Sequence, residues 1–184
     1  MNNLLFKSIG YNCENSRQKD DYYATPPETT AALLRVEKFF GDIYEPCCGE
    51  GHMSKVLIEN GYNVISSDLV NRGYGESRID FLMETKKVPN IITNPPYKNA
   101  IEFAEHAMWL AQKKVALLLK LNFLEGVNRK RFFESFPPKT VHVFSNRQSL
   151  RKNGKFYKSG MMALAWFVWE KNNKQPPIIN WIET

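Results

Sequence analysis

The chain has 184 residues, of which 43% are apolar and 24% charged, with a formal net charge of +6. That is ordinary globular composition and enough chain for one domain with a real core. No apolar run reaches the roughly 18–20 residues needed to span a bilayer, and Met1-Asn2-Asn3-Leu4-Leu5-Phe6-Lys7 lacks the long apolar region of a signal peptide, so no membrane partner is expected and cytoplasm is the default.

Residues 1–21 are polar and without period, and read as a loosely ordered arm. In Tyr22-Tyr23-Ala24-Thr25-Pro26-Pro27-Glu28, Thr25 stands at an N-cap position, Pro26 at the first helical position and Glu28 three after Thr25. That pattern predicts a capping box opening a helix over 26–40, with Gly41 ending it. Residues 43–46 read as a strand end running into Cys47-Cys48-Gly49-Glu50-Gly51. Met53, Val56 and Leu57 then predict a helix to residue 60. A second strand over 62–67 ends at Asp68-Leu69. A glycine-bearing loop leads to a third strand end at 78–81, followed by a connector. The fourth strand covers 90–93, and a helix follows over 99–113. Residues 115–119 are unbroken apolar chain, as expected of a strand buried on both faces. A basic helix over 126–135 is broken by Pro137-Pro138, a sixth strand covers 141–144, a basic loop 145–160 and a last strand 161–169. The tail, with Pro176-Pro177, carries no clear assignment. Strands alternating with helices predict a parallel, doubly wound sheet. The last two strands, joined without a helix, predict an antiparallel edge hairpin.

Cysteine and histidine usage argues against a metal. The three cysteines (Cys13, Cys47, Cys48) form no CxxC pair, and His52, His106 and His142 are scattered. Reduced thiols are expected.

Chemistry concentrates in Ile91-Ile92-Thr93-Asn94-Pro95-Pro96-Tyr97. Two prolines cannot donate to a ladder, so the strand ends there in a stiff loop at its carboxyl end. Open α/β sheets place their ligands at that end. Asn94 brings an amide, Pro95 a free backbone carbonyl and Tyr97 a flat ring. These parts suit a planar, amine-bearing group.

A second constellation precedes it. Glu45-Pro46-Cys47-Cys48-Gly49-Glu50-Gly51 is a strand end, a glycine turn and a helix start. It departs from the pyrophosphate-binding GxGxxG pattern, with Ser54 at the third glycine position. An acid at the strand end is a poor neighbour for pyrophosphate and suits a sulfonium or amino-acid ligand. Asp68, 19 residues after Gly49, stands where a carboxylate can accept ribose hydroxyls. Asp80 can accept from an adenine amine, with Leu69 and Phe81 as apolar walls.

Together, Glu45-Pro46-x-x-Gly49-x-Gly51, Asp68, Asp80-Phe81 and Asn94-Pro95-Pro96-Tyr97 resemble the S-adenosylmethionine-dependent amino methyltransferases. The match is closest to the adenine-N6 DNA methyltransferases with gamma-like motif order and, more loosely, to their small phage-type members. The resemblance implies a Rossmann-like class I methyltransferase, with a doubly wound, mostly parallel seven-stranded sheet whose last strand is antiparallel. Tyr23-Ala24-Thr25-Pro26-Pro27 resembles the segment that closes over the methionine end of the cofactor in that family. Implied cofactor residues are Tyr23, Thr25, Glu45, Pro46, Cys47, Gly49, Gly51, Asp68, Leu69, Asp80 and Phe81; Thr25 is left between cofactor contact and helix cap. Implied substrate residues are Asn94 and Pro95 as acceptors for the amine, Pro96 as the stiffening element and Tyr97 as the stacking ring for a flipped base. The larger relatives carry a separate target-recognition domain. Here residues 22–184 read as one methyltransferase domain without one.

The charge is uneven. Residues 1–97 carry 10 basic and 13 acidic side chains, whereas residues 98–160 carry 13 basic and 4 acidic ones. A positive field after the Asn-Pro-Pro-Tyr loop fits a polyanion. Lys98, Arg129, Arg147, Arg151, Lys152, Lys155 and Lys158 are the expected phosphate contacts. DNA is the leading partner. RNA, a protein glutamine amide, and a non-catalytic nucleic-acid-binding module stay open as alternatives, as do monomer and dimer.

Overall fold

The computed structural model describes residues 22–148 and 162–184. The expected N-terminal arm and most of the basic loop, with Arg151, Lys152, Lys155 and Lys158, lie outside them. The described strands are β1 (Ile43–Glu45), β2 (Val64–Asp68), β3 (Glu76–Ser77), β4 (Val88–Thr93), β5 (Ala111–Lys120), β6 (Thr140–Phe144), β7 (Leu164–Glu170) and β8 (Ile178–Ile182). The α-helices are α1 (Pro27–Val36), α2 (His52–Glu59), α3 (Ala100–Leu110) and α4 (Val127–Ser135).

These strands form one sheet in the order β3-β2-β1-β4-β5-β7-β6-β8. β1 pairs in parallel with β2 on one side and β4 on the other. The winding therefore reverses beside β1, which opens a crevice outside the carboxyl ends of β1 and β4. β7 is antiparallel to both β5 and β6, while β8 runs parallel to β6. The predicted β6–β7 hairpin thus forms, but inside the sheet and not at its edge. The tail supplies the edge strand β8, giving eight strands where seven are implied by the resemblance. Its apolar residues Ile178, Ile179 and Trp181 are largely exposed, so no burial pattern announces the strand.

β5 shows why a continuous apolar run is a buried strand. Val115, Leu117 and Leu119 pack on one face with Phe103, Ala104 and Ala107 of α3. Ala116 and Leu118 pack on the other with Leu33 of α1 and Leu57 of α2. Both faces are covered, so alternation of polarity disappears.

Tertiary contacts move several predicted boundaries. The helix predicted over 26–40 stops at Val36, and Glu37 is extended (φ −126°, ψ 142°). Its buried carboxylate accepts from Lys114 Nζ (2.7 Å) and His142 Nε2 (3.0 Å). Burial alone would raise this carboxyl. The hydrogen bonds from His142 and Lys114 outweigh it and hold the group below the usual range. The capping box does not form: Pro26 is the N-cap residue and no side chain caps the helix. α3 ends at Leu110, and β5 begins at once with Ala111. The third strand end expected at 78–81 is a 3-10 turn over Phe81–Met83. Arg78 breaks the strand there, with φ +65° in a region that costs a side chain energy.

Trp166 ties the sheet to α1. It is fully buried, and its indole N–H donates to the Thr29 carbonyl (3.0 Å). Trp166→Ala is expected to destabilise the protein by about 3–5 kcal/mol, read by urea denaturation. A loss under about 1 kcal/mol would mean that the site collapses around the cavity.

Candidate active site

The carboxyl ends of β1, β2 and β4 bring Glu45, Asp68 and Asn94 to one end of the sheet. They line a cleft of about 360 Å³ together with the segment before α1 and the turn after β3. Such a volume holds a small-molecule ligand. Of the expected cofactor residues, Tyr23, Thr25, Glu45, Pro46, Cys47, Asp68, Leu69, Asp80 and Phe81 line it, as do Asn94 and Pro96 of the Asn-Pro-Pro-Tyr loop. Sequence reasoning missed Tyr22, His52, Met53, Arg72, Asn99 and Phe103, which also line it. His52 and Met53 open α2 directly after the glycine turn, and Tyr22 precedes the Tyr23-Ala24-Thr25 entry. Position beside a motif was the available signal for those three; nothing local marks Arg72, Asn99 or Phe103.

Gly49 and Gly51 hold the turn but are not among the lining residues. Both have positive φ (+55° and +78°), and both are covered by tyrosines. A Cβ on Gly49 would lie 2.4 Å from the Tyr22 ring, and one on Gly51 2.5 Å from that of Tyr74. The turn needs glycine for conformation and for this close approach. Tyr22 is held there by Glu50, whose N–H donates to its hydroxyl (3.3 Å), and by the Arg72 guanidinium over its ring (4.1 Å).

Glu45 is 2% exposed and accepts a hydrogen bond from Ser54 Oγ, which also meets Ser66 Oγ (2.6 Å). Burial pushes its carboxyl up to about 8, against the Ser54 hydrogen bonds and with a small push from Asp68. A buried acid held in that state is stabilised as an anion when a cation arrives beside it. Asp68 accepts from Gly49 N–H (2.9 Å) and Val70 N–H (2.8 Å), one on each oxygen. A carboxylate has about four acceptor sites, so capacity remains for a ligand hydroxyl. Asp80 accepts from Leu82 N–H (3.0 Å) and thereby caps the 3-10 turn; it reaches the cleft from this turn and not from a strand end. Burial pushes both neighbouring thiols up, Cys48 to about 12, so neither is a nucleophile near neutral pH.

The Asn-Pro-Pro-Tyr loop is held from outside its own element. Asn94 Nδ2 donates to the Tyr23 carbonyl (3.1 Å) and to Thr25 Oγ1 (3.0 Å). A carbonyl only accepts, so the amide nitrogen must be the atom on that side. Thr25 thus serves neither as a helix cap nor solely as a cleft wall. Pro95 is buried and, like Tyr97, is not among the lining residues. The Tyr97 ring stacks with Tyr23 (centroids 6.1 Å, 22° between planes) and carries Lys120 Nζ 4.8 Å from its centroid.

Lys98, next to Tyr97, and Arg147, after β6, are exposed. Arg129 Nη1 donates to the carbonyls of Asn122 and Glu125, fixing the loop before α4. Among the described residues, no helix is long and apolar enough to cross a membrane.

No protein-family model matches the chain, and no curated protein is similar to it in sequence. Solved structures are similar in fold. A candidate RNA methyltransferase from Pyrococcus horikoshii superimposes with a TM-score of 0.63 at 15% identity, over 87% of this chain and 90% of that one. The modification subunit of a candidate type I restriction enzyme from Vibrio vulnificus gives 0.61 at 13% identity, over 85% of this chain and 45% of that one. This chain therefore spans less than half of that subunit. A candidate class I S-adenosylmethionine-dependent methyltransferase from Listeria monocytogenes gives 0.59 at 14% identity, over 96% and 70%. The chain has the Rossmann-like fold of class I methyltransferases.

Proposed function

We propose that the protein transfers a methyl group from S-adenosylmethionine to the exocyclic N6 amine of adenine in DNA. One observation carries the reading. Asn94 is locked with its amide nitrogen turned to Tyr23 and Thr25, which leaves its carbonyl oxygen as the group it offers in a cleft that also holds Glu45, Asp68 and Asp80.

The cleft residues fit the cofactor. A buried acid raised to about 8 suits an ammonium or sulfonium. Asp68 suits a ribose diol, and Leu69 and Phe81 suit the faces of a purine whose amine Asp80 can accept. When bound, S-adenosylmethionine supplies an electrophilic methyl carbon on a sulfonium. The adenine amine is a poor nucleophile because its lone pair is delocalised into the ring. Asn94 Oδ1 and the Pro95 carbonyl, accepting its two N–H groups, draw the nitrogen towards tetrahedral geometry and localise that pair. Transfer would leave the cofactor as its neutral thioether, and the surplus proton of the amine would pass to water. The Pro95-Pro96 stiffness sets these acceptors in advance, where preorganised electrostatics is most effective. Tyr97 stacks on the extruded base, and Lys98 and Arg147 meet phosphates. The basic segment after the loop favours a polyanion over a protein substrate. Residues 22–184 act as one methyltransferase domain.

The test is incubation with methyl-labelled S-adenosylmethionine and separate pools of duplex DNA, single-stranded DNA, RNA and protein extract. Label is expected in DNA, recovered as N6-methyladenine. Label confined to RNA would move the substrate, and label confined to protein would overturn the nucleic-acid reading.

A further inference from the structure

Resting on that reading, we propose that Thr25 is a positioning residue for Asn94: its hydroxyl oxygen accepts the second amide proton and holds Asn94 in the orientation, oxygen towards the substrate, that the Tyr23 carbonyl selects.

A primary amide has two chemically opposite ends on one freely rotating bond. The amine clamp works only with the oxygen forward, because a forward –NH₂ would confront the N–H groups of the substrate. Among the described residues, the Asn94 amide has no hydrogen-bond partner within the substrate loop itself that selects an end. The selection comes from the Tyr23 carbonyl, 71 positions earlier in the chain, which can only accept, and the Thr25 hydroxyl, 69 positions earlier, holds the amide in that orientation. The Tyr23 carbonyl takes one amide proton at 3.1 Å and the Thr25 hydroxyl oxygen the other at 3.0 Å. With both amide protons engaged, turning the group by 180° would put the Asn94 oxygen against the Tyr23 oxygen, two acceptors without a proton between them.

Thr25 is well placed to hold this arrangement. It is 6% exposed, so water competes poorly for its oxygen. It leads into α1, whose Thr29 carbonyl is pinned by the buried Trp166 indole. The Tyr23 ring stacks on Tyr97 in the same loop. The N-terminal segment therefore grips the substrate loop at both its amide and its ring.

A residue that only lined the cofactor cleft would have its effect on cofactor affinity. A positioning residue has its effect on the transfer step. The experiment compares Thr25→Val, which keeps shape and loses the hydroxyl, with Thr25→Ser, which keeps the hydroxyl. Transfer is measured on mixed-sequence duplex DNA at saturating S-adenosylmethionine, and cofactor Kd by calorimetry. Thr25→Val is expected to lower kcat about tenfold, the scale of one lost hydrogen bond, with cofactor Kd within twofold, and Thr25→Ser to restore most of the rate. Nitrogen-15 spectra give a second readout. In the wild type and Thr25→Ser, the Asn94 side-chain amide should show two resolved, slowly exchanging protons. In Thr25→Val one of them should exchange fast. An unchanged kcat in Thr25→Val, a loss confined to cofactor Kd, or a fast-exchanging amide in the wild type would each overturn the assignment. If Asn94→Ala is inactive while Thr25→Val is normal, the Thr25 role fails and the methyltransferase reading stands. If Asn94→Ala keeps full transfer, the Asn94 and Thr25 roles fail together and the methyltransferase reading stands; if the wild type transfers no label, that reading fails.

Discussion

Asn94→Ala is expected to lower methyl transfer about 10²–10³-fold, the usual effect of removing one preorganised group that stabilises the transition state, while cofactor affinity stays within about twofold. The physical basis is the division of labour in the cleft. Asn94 takes its orientation from Tyr23 and Thr25, whereas the expected cofactor contacts lie on Glu45, Asp68 and Asp80. Single-turnover transfer of label to duplex DNA reads the first quantity and calorimetry the second. Transfer above a tenth of wild type would remove Asn94 from the chemistry. A collapse of cofactor binding instead would place it in the other half of the site.

Glu45→Gln should separate stability from binding. The folded-state value of about 8 stands well above the ordinary 4.5. The folded protein therefore holds a proton that the unfolded chain releases between those two values. Stability from this group falls as pH rises from about 4.5 to about 8 and stays low above that. The shift corresponds to at most about 5 kcal/mol at high pH, reduced wherever the site relaxes or admits water. Gln stays neutral, so Glu45→Gln should be more stable than the wild type at pH 9 by a few kcal/mol, and near equal at pH 5. Thermal unfolding across that range checks the sign; equal pH dependence in both proteins would sink it. Binding should move the other way. At pH 9 the ionised Glu45 meets a cationic ligand, and its loss should weaken S-adenosylmethionine roughly tenfold or more. At pH 6 the wild-type group is itself protonated before binding, so the difference should shrink. Glu37 has the opposite sign: its depressed value contributes stability near neutral pH that is lost as pH falls through the acid range.

The elements most legible in the sequence are those whose causes are local. The run over 115–119 and the amphipathic pattern after Gly51 fixed a buried strand and a helix through side-chain period alone. Pro95-Pro96 fixed the end of β4 because proline lacks the ladder donor. The elements misread are those decided by distant partners. α1 stops at Val36 with Glu37 bound to Lys114 and His142, which are 77 and 105 residues away. β8 has little apolar burial to announce it; what makes it a strand is the free edge of β6. Asp80 reaches the cleft although β3 ends at Ser77.

The sequence by itself determined the order of the strands and helices from α1 to β7 apart from β3, the stiff Asn-Pro-Pro-Tyr loop, the glycine turn and the acids that end β1 and β2. All are set within a few residues by backbone sterics and periodicity. Only the tertiary structure decided that Tyr22 covers the glycine turn, that Arg129 is tied to its own loop, and that Thr25 gives its hydroxyl to Asn94 instead of to a helix end. Hydrogen bonds between side chains far apart in sequence depend on how the chain closes on itself, and no local pattern carries that information.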